Sequence, residues 1–534
     1  MTLADAVHAA GWQWSAPVTS AVSPETGDHP RAFLWIPPDC ARVRAIVLGQ
    51  HNMLEEPLLE HPAFRAELAK LGIAEIWVTP MLGGAAKFDA EEAAQCDEMF
   101  RALAAVSGYA ELAQAPVVAI GHSALADFPY LFAAHQAART LAAISLKGSW
   151  PDMKKKPPPG WSGRDVAGVP LLLVSGEYEW ADERAGKALA FRREFPAVPF
   201  AMLADAGGGH FDMHDRLADF LALYIRKAAQ YRLPREVGQP LRALDATREG
   251  WLVDRWRMDK PPRAPAAPVG KFSGDVHESY WCFDEEHAHA TEQMQAAFAG
   301  QQAQLLGYEQ AGRVVQQVNG THQQVTLNFL PAPGGDGITF KLRGVFLDTV
   351  PAGRPERWTK LKAGAPVAHA SGGGPVVIRR ICGPVAQLDD ETLALRFDRV
   401  GCDSPRRSNE IWLLAEHPGD GHFKRAVQQA VLHFPLRNEA GAEQQLTFAP
   451  LPDQRVGAPP LKLNATSSAG AKVHFYIREG PAELDGDTLK FTAIPPRAKF
   501  PVKVTVVAWQ WGRSLEPKLK TAAPIARTFS IVQP

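Results

Sequence analysis

The sequence predicts a multidomain protein: an α/β unit with a mostly parallel sheet and helices on both faces, then a β-rich accessory region, then a C-terminal β-sandwich. The chain has 534 residues, more than one hydrophobic core of ordinary size accommodates. Up to about residue 235, continuous apolar runs alternate with helical stretches, which is typical of parallel strands buried on both faces. Beyond about residue 320, short runs separated by turn residues indicate mainly β structure.

Six apolar runs predict the strands of the first unit, which we place at 1–235. They lie at 45–50, 74–80, 116–121, 141–146, 170–176 and 199–206. Helices are predicted at 62–71, 90–107, about 129–139, from about 183, and roughly 213–231. This alternation of strands and helices predicts a sheet that is covered on both faces.

The composition changes after this unit. Residues 236–270 end in the proline-rich stretch "KPPRAPAAPVG" and are interpreted as a linker or a strap along the first unit. Residues 271–450 are assigned to a mixed, mainly β accessory domain with a helix candidate within 284–306. Within it, "VTLNFL" and "ITFKLRGV" are predicted to form a hairpin around "PAPGGDG", and 424–433 is a second helix candidate.

The last part, 451–534, contains three strand candidates, "KVHFYI", "TLKFTAI" and "VKVTVVAW", separated by turn residues. About 85 residues with this spacing predict a small β-sandwich. The stretch "LNATSSAGAKVHFYIREGPAELDGDTLKFT" resembles the bacterial immunoglobulin-like modules that are appended to exported enzymes. This resemblance covers the C-terminal unit only.

Charge and composition exclude several classes of protein. The formal net charge is -1, so no bulk field favours nucleic acid or an anionic membrane, and the basic run at 154–156 is interpreted as a solvated loop. No run of eighteen apolar residues predicts a membrane span. The N-terminus has no basic segment typical of an intact signal peptide. Either the protein is cytoplasmic or an export signal was removed. The β-rich accessory regions and the tryptophan content favour the second, a periplasmic or extracellular protein. No feature predicts an oligomeric state.

The five cysteines are scattered and form neither a disulfide framework nor a CxxC metal pattern. Free buried thiols are the favoured interpretation. One pair, Cys382 with Cys402, is the candidate for a bridge.

The stretch "PVVAIGHSALADFPY" at 116–130 places Ser123 directly after a buried strand. A serine hydroxyl is a weak nucleophile until a base takes its proton. A tight turn between strand and helix exposes such a serine and places backbone N–H groups beside it. On these residues, 31–231 resembles the α/β-hydrolase superfamily.

The order of residues along the chain agrees with this resemblance. An acidic cluster, Glu177 to Asp182, follows the strand at 170–176, and His210 follows the strand at 199–206 after three glycines. The resemblance implies that Ser123 attacks an acyl carbon, His210 takes and returns its proton, and a carboxylate orients the histidine. Glu179 is the favoured carboxylate, with Asp182 and Glu177 as alternatives.

The resemblance also implies an oxyanion hole and a pocket wall. The Ala124 N–H should contribute to the hole, with a second N–H from Asn52 or Met53 in the loop after 45–50. Relatives have a His-Gly pair in that loop, whereas this chain has His51 followed by Asn52. Candidate substrate-binding rings are Trp150, Trp161 and Trp180.

The turn after Ser123 departs from the family pattern. Relatives carry a small residue where this chain has Leu125, and Pro129 lacks the N–H that a helix interior needs. We therefore predict an irregular turn through Ala126, with Asp127 as the N-cap of a helix that begins at Phe128.

A second cluster, "HESYWCFDEEHAHATE", contains histidines and carboxylates of the types that bind metals. His287 and His289 are two residues apart, however, and therefore face different sides of a helix. A helix start with Asp284 as its cap explains the charges equally well.

Together these residues predict a serine hydrolase that cleaves carboxylic esters without a metal or an organic cofactor. Acetyl or feruloyl esters of plant polysaccharide are the expected substrates, by analogy with exported enzymes. The alternatives are a peptidase or amidase with the same residues, and a non-catalytic protein that binds carbohydrate or a surface.

Overall fold

The computed structural model describes residues 11–83, 88–149, 151, 166–179, 181–236, 238–318, 322–398 and 409–533. Several predictions fall outside these residues: the three tryptophans of the pocket wall, Trp150, Trp161 and Trp180, the basic run at 154–156, and Cys402. No helix formed by the described residues is long and apolar enough to cross a bilayer.

The N-terminal region contains an eight-stranded, mostly parallel sheet that is consistent with an α/β-hydrolase fold. Its strands are β1 (Trp14–Pro17), β2 (Arg31–Trp35), β3 (Ala45–Gln50), β4 (Ile73–Thr79), β5 (Val117–His122), β6 (Thr140–Leu146), β7 (Leu171–Gly176) and β8 (Phe200–Asp205). Their order is β1-β2-β4-β3-β5-β6-β7-β8. Only β2 is antiparallel to both of its neighbours. All six strands predicted from the apolar runs are confirmed to within one or two residues.

Six helices accompany this sheet: α1 (Glu55–Leu59), α2 (Pro62–Leu71), α3 (Ala90–Ser107), α4 (Phe128–His135), α5 (Ala181–Glu194) and α6 (Asp215–Arg232). The apolar side chains of α3, α4 and α5 pack on one face of the sheet, and those of α1, α2 and α6 pack on the other. This confirms the prediction of a sheet covered on both faces.

Residues 251–296 pack against the same unit. They form β9 (Trp251–Asp254), β10 (Ala267–Pro268), β11 (Ser279–Cys282) and α7 (Glu285–Ala296). Trp281, Phe283 and Met294 join the apolar cluster that contains α6. Asp284 accepts a hydrogen bond from the His287 N–H and caps α7 as predicted.

The middle region forms three small sheets. Its elements are β12 (Leu306–Gln310), β13 (Arg313–Val315), β14 (Val325–Asn328), β15 (Thr339–Lys341), β16 (Arg343–Phe346), α8 (Pro355–Thr359), β17 (Val377–Cys382), β18 (Val385–Gln387), β19 (Thr392–Leu395), β20 (Glu410–His417) and β21 (Ala426–His433). The sheets have the orders β13-β12-β16, β14-β21-β20-β17 and β15-β19-β18.

Two predictions for this region are wrong. The expected hairpin around "PAPGGDG" does not form, because β14 pairs with β21 whereas β15 pairs with β19. The helix expected at 424–433 is strand β21, which pairs with β20 along eight residues. Pairing with β20 outweighs the weak local helical preference of this segment.

The C-terminal region forms further small sheets from β22 (Leu446–Phe448), β23 (Gln454–Arg455), β24 (Leu461–Lys462), β25 (Ala465–Ser467), β26 (His474–Glu479), β27 (Ala482–Asp485), β28 (Thr488–Phe491), β29 (Val502–Trp509) and β30 (Ile525–Val532). The three strand candidates of the sequence correspond to β26, β28 and β29. The immunoglobulin-like sandwich and the domain boundaries stay predictions.

The regions share their cores. One apolar cluster joins α3 and α4 to side chains of β29 and β30. Another joins the middle sheets to Tyr476, Val507, Trp509 and Trp511. Cys40, Cys96, Cys282 and Cys382 are buried free thiols, as favoured above.

Candidate active site

Ser123 lies at a strained turn between β5 and α4. Its φ is 51°, a left-handed conformation that non-glycine residues rarely adopt. A short 3-10 turn spans Ser123–Leu125, and α4 begins at Phe128 with Pro129 in its first turn. The predicted irregular turn is therefore confirmed. Asp127 occupies the N-cap position, but its side chain makes no capping bond and instead accepts a hydrogen bond from the Ser149 hydroxyl.

Gly121 allows this turn to pack closely. A Cβ at Gly121 would overlap the Leu125 carbonyl oxygen and lie 3.1 Å from Pro129 Cδ. We expect Gly121→Ala to lower the free energy of unfolding by about 1–3 kcal/mol, because the turn must move. Gly186→Ala is the matched control: nothing lies within 4 Å of its new Cβ, and alanine in a helix gains about 0.5–1 kcal/mol. Urea unfolding measures both, and equal stability of Gly121→Ala and the wild type would contradict the packing argument.

His210 lies between Ser123 and Glu179. Its Nε2 is 2.7 Å from Ser123 Oγ, and its Nδ1 bonds Glu179 Oε1. Because Nδ1 donates to the carboxylate, Nε2 is left to accept the serine proton. His210 is only 3% exposed, whereas Ser123 is half-buried. The three residues thus form one continuous hydrogen-bonded chain that ends at a partly accessible hydroxyl.

The two loops that carry His210 and Glu179 are bonded to each other. Tyr178 N–H donates to the Gly208 carbonyl over 3.0 Å, and Glu177 N–H donates to the Asp205 carbonyl over the same distance. Glu179 Oε2 also accepts from the Gly176 N–H at 2.9 Å. The carboxylate is therefore fixed by backbone groups of its own strand end.

The alternative carboxylates have other partners. Glu177 accepts from Lys424 Nζ and from the Gly207 N–H, both at 2.8 Å. Asp182 is 34% exposed and lies 3.9 Å from Arg357. Of the three candidate acids, only Glu179 bonds His210.

Electrostatics keep Glu179 ionised. Burial alone would raise its pKa, but His210 and Arg184 outweigh that effect and lower the pKa to about 2. Arg184 Nη1 lies 3.4 Å from Glu179 Oε1. A carboxylate that stays charged can stabilise a protonated histidine beside it.

The loop after β3 lies against the end of β5. Asn52 Nδ2 donates to the His122 carbonyl at 2.5 Å and lies 3.4 Å from His122 Nδ1. The Met53 N–H donates to Glu55 Oε2 at 3.1 Å. The Met53 N–H and the side-chain amide of Asn52 therefore already have hydrogen-bond partners. Ala124 itself is exposed.

Glu55 and His122 form a buried support behind this loop. Glu55 accepts from the His122 N–H at 2.6 Å, and burial raises the pKa of its carboxyl to about 8. His122 Nε2 donates to the His210 carbonyl over 3.0 Å. Burial and the neighbouring His210 hold the pKa of His122 well below its ordinary value. A neutral imidazole thus links the end of β5 to the loop that carries His210.

A sheet of the middle region covers this edge of the α/β unit. We call it the roof sheet, and it consists of β14, β21, β20 and β17. Side chains on one face, among them Trp412, Leu414 and Val431, pack on Leu54 and Phe211. The opposite face joins the apolar core of the middle region. The roof sheet is therefore buried on both faces, with one face on the loops that carry the candidate site.

Two basic residues at the start of β21 bind the acidic groups of these loops. Arg425 bonds both oxygens of Asp212, at 2.5 and 3.0 Å, and donates to the Gly207 carbonyl. Lys424 pairs with Glu177, and all four charged side chains are less than 10% exposed. Sequence reasoning missed these residues because it interpreted 424–433 as a helix.

His322 is a third residue that sequence reasoning missed. Its ring is stacked on that of His210, with centroids 3.8 Å apart and an interplanar angle of 17°. No motif surrounds it, and it comes from a segment more than one hundred residues beyond His210. Only the packing of the middle region brings the two rings together.

Two groups of metal-ligating residue types occur among the described residues. One is Glu179, His210 and His322, and the other is Asp205, Asp212 and His214. The charges in both are already balanced: Arg184 faces Glu179, Lys147 bonds Asp205, and Arg425 bonds Asp212. In the stretch "HESYWCFDEEHAHATE", His287 is buried and His289 is exposed, so the two face different sides of α7 as predicted. These contacts give no ground for proposing a metal.

Neither of two pockets in the described part of the chain is lined by Ser123, His210 or Glu179. One of about 230 Å³ adjoins Asn52 and Met53 and is also lined by Trp412 and Phe434. A larger cleft of about 780 Å³ lies along β26 in the C-terminal region.

No protein-family model and no curated protein matches the chain. Similar solved structures include the serine hydrolase FphF of Staphylococcus aureus, with 13% identity, coverage of 41% of this chain and 99% of that one, and a TM-score of 0.29. An S-formylglutathione hydrolase from Agrobacterium tumefaciens has 11% identity, coverages of 41% and 94%, and a TM-score of 0.30. The esterase Est22 has 12% identity, coverages of 41% and 79%, and a TM-score of 0.28. The matched structures are thus hydrolases and esterases. Their TM-scores are too low to support an argument about the reaction, which depends on the side-chain geometry alone.

Proposed function

We propose that the protein is a serine hydrolase that cleaves carboxylic esters through an acyl-enzyme on Ser123. One observation carries the proposal: the continuous chain from Ser123 Oγ through His210 to Glu179. In this proposal Ser123 Oγ attacks the acyl carbon while His210 Nε2 takes its proton. Glu179 stabilises the imidazolium that forms.

The remaining steps follow from the same groups. The N–H groups of Ala124 and Asn52 donate to the oxyanion of the tetrahedral intermediate. His210 then gives its proton to the leaving alcohol oxygen as the C–O bond breaks. Water, deprotonated by His210, attacks the acyl-enzyme and releases the acid and free Ser123. No metal or organic cofactor takes part in this scheme.

Acetyl or feruloyl esters stay the proposed substrates, as the sequence predicts. The volumes of the two pockets do not separate these acyl groups, because Ser123 lines neither of them. Polysaccharide as the leaving group, and export of the protein, stay predictions of the sequence.

A fluorophosphonate probe tests the proposal because it reacts only with an activated serine. We expect the wild type to be labelled and Ser123→Ala to be unlabelled. Ser371→Ala, in an exposed loop, is the matched control and should label like the wild type. Absence of labelling in the wild type would reject the enzyme in favour of a non-catalytic binding protein.

A substrate panel then separates the remaining alternatives. We expect turnover of p-nitrophenyl acetate and acetylated sugars, and little or none of peptides. Faster cleavage of peptides or amides than of esters would assign the peptidase or amidase alternative instead.

A further inference from the structure

The ring of His210 is enclosed on several sides. Measured between ring centroids, the stacked His322 ring is 3.8 Å away, the Phe211 ring is 4.5 Å away at 86°, and the His122 ring is 5.0 Å away. Rotation about the bond to a histidine ring is soft by itself. Because a rotated ring would collide with His322, the stack restricts His210 to one plane. That plane contains both of its hydrogen bonds, to Ser123 and to Glu179.

The roof sheet fixes His322 in turn. Gln429 Nε2 donates to the His322 carbonyl, and Gln428 Nε2 donates to the Gln323 carbonyl at 2.6 Å. Both glutamines are on β21 and more than 90% buried. Phe211 also contacts the His322 ring, with centroids 5.4 Å apart. The stack is therefore held from the backbone as well as from its face.

We propose that His322 is a positioning residue, which keeps the His210 imidazole in the plane that Ser123 and Glu179 require and keeps water off its face. The inference rests on the proposed function, because positioning matters for turnover only if His210 is the base. Correct alignment of reacting groups accounts for a large part of enzymatic rate. The middle region would then supply part of the active site.

The charge state of the pair agrees with this role. Burial, followed by the nearby His210, lowers the pKa of His322 to about 4. The charged or titratable groups that face the two rings are His122, Glu179, Arg184 and Arg354. At neutral pH His322 is uncharged, so it does not repel the imidazolium that forms on His210 during attack.

Two substitutions at His322 separate the effect of the stacked ring from that of the residue. In His322→Ala the stacked ring is lost and water reaches His210, so we expect kcat to fall about tenfold with little change in KM. His322→Phe keeps a stacked ring and should restore kcat close to the wild type.

The readouts are kcat measured separately from KM, and the NMR signal of the His210 Nδ1 proton, which exchanges with water when the ring is exposed or displaced. His369→Ala is the matched control, because it removes an imidazole stacked on Phe346 at 4.2 Å in the same region. We expect it to change neither readout. Thermal unfolding of each variant separates loss of the fold from loss of positioning.

Three outcomes decide the proposal. An unchanged Nδ1 proton signal and an unchanged kcat in His322→Ala overturn it. A His322→Phe variant as slow as His322→Ala also overturns it, because a stacked ring would not suffice. If the Nδ1 proton signal of His210 is lost in His322→Ala as expected but the wild type is never labelled by fluorophosphonate, the contact is upheld and the proposed function fails.

Discussion

Glu179→Gln is expected to lower kcat about 10⁴-fold, because the amide no longer fixes the tautomer of His210 that accepts the serine proton. The fold should persist, since Gln keeps the shape of the side chain and an oxygen for the Gly176 N–H, which bonds Glu179 at 2.9 Å. Steady-state turnover of a p-nitrophenyl ester measures the loss. KM should change little, because the carboxylate contacts His210 rather than the substrate.

The alternative acids provide the matched controls. Asp182→Asn should leave kcat unchanged, because Asp182 is 34% exposed and interacts with Arg357. Glu177→Gln should lower stability through its contact with Lys424 and reduce kcat far less than Glu179→Gln. Near-normal turnover of Glu179→Gln would move the orienting role to one of these residues.

The pKa of Glu179 also predicts how the stability of the folded protein changes with pH. Its pKa is lowered from the ordinary 4.5 to about 2, so the folded protein binds this proton less readily than the unfolded chain does. The stability that Glu179 contributes is therefore complete above about pH 4.5 and is lost as the pH falls towards 2. An acid limb of activity near neutral pH would consequently not belong to Glu179.

Arg425→Met is expected to destabilise the protein by about 3–5 kcal/mol, because it leaves Asp212 as a buried charge without its partner. Arg425 is bidentate to Asp212 at 2.5 and 3.0 Å, and both side chains are almost fully buried. Turnover should fall as well, because Asp212 lies two residues after His210. Urea unfolding and ester turnover measure the two effects.

Two variants show whether the effect belongs to the buried pair. Lys520→Met removes the partner of the exposed Glu443 and should change stability little, because water screens the pair. Adding Asp212→Asn to Arg425→Met removes the unpaired charge and should recover part of the stability. Equal losses in Arg425→Met and Lys520→Met would show that the buried contact contributes little.

The α/β unit was largely predictable because its signals are local. A strand buried on both faces is a continuous apolar run, so β3 and β7 stand out in the sequence. The order of Ser123, Glu179 and His210 relative to such strands then locates the candidate site, since parallel strands bring their carboxyl ends to one edge. Even the irregular turn follows from a single residue, Pro129.

The roof sheet and the residues beside it were not predictable, because their structure depends on contacts between distant parts of the chain. β21 carries no pattern that excludes a helix, and its conformation is decided by pairing with β20. His322 and Arg425 reach the site through contacts with residues more than one hundred and two hundred positions away. Such contacts leave no periodicity in a single sequence. The sequence therefore locates the candidate site but not the groups that enclose it.

During synthesis, the candidate site is completed only when the last strand of the roof sheet has been translated. The last helix of the α/β unit ends at Arg232, whereas β21 ends at His433, about 200 residues later. At usual rates of translation this interval lasts roughly 10 to 40 s. Until Lys424, Arg425 and β21 have been made, Glu177 and Asp212 lack these basic partners, and the glutamines that hold His322 on His210 are missing. In the nascent chain, Ser123 is therefore present long before His210 is fixed in position. Full activity should appear only after the roof sheet has been translated.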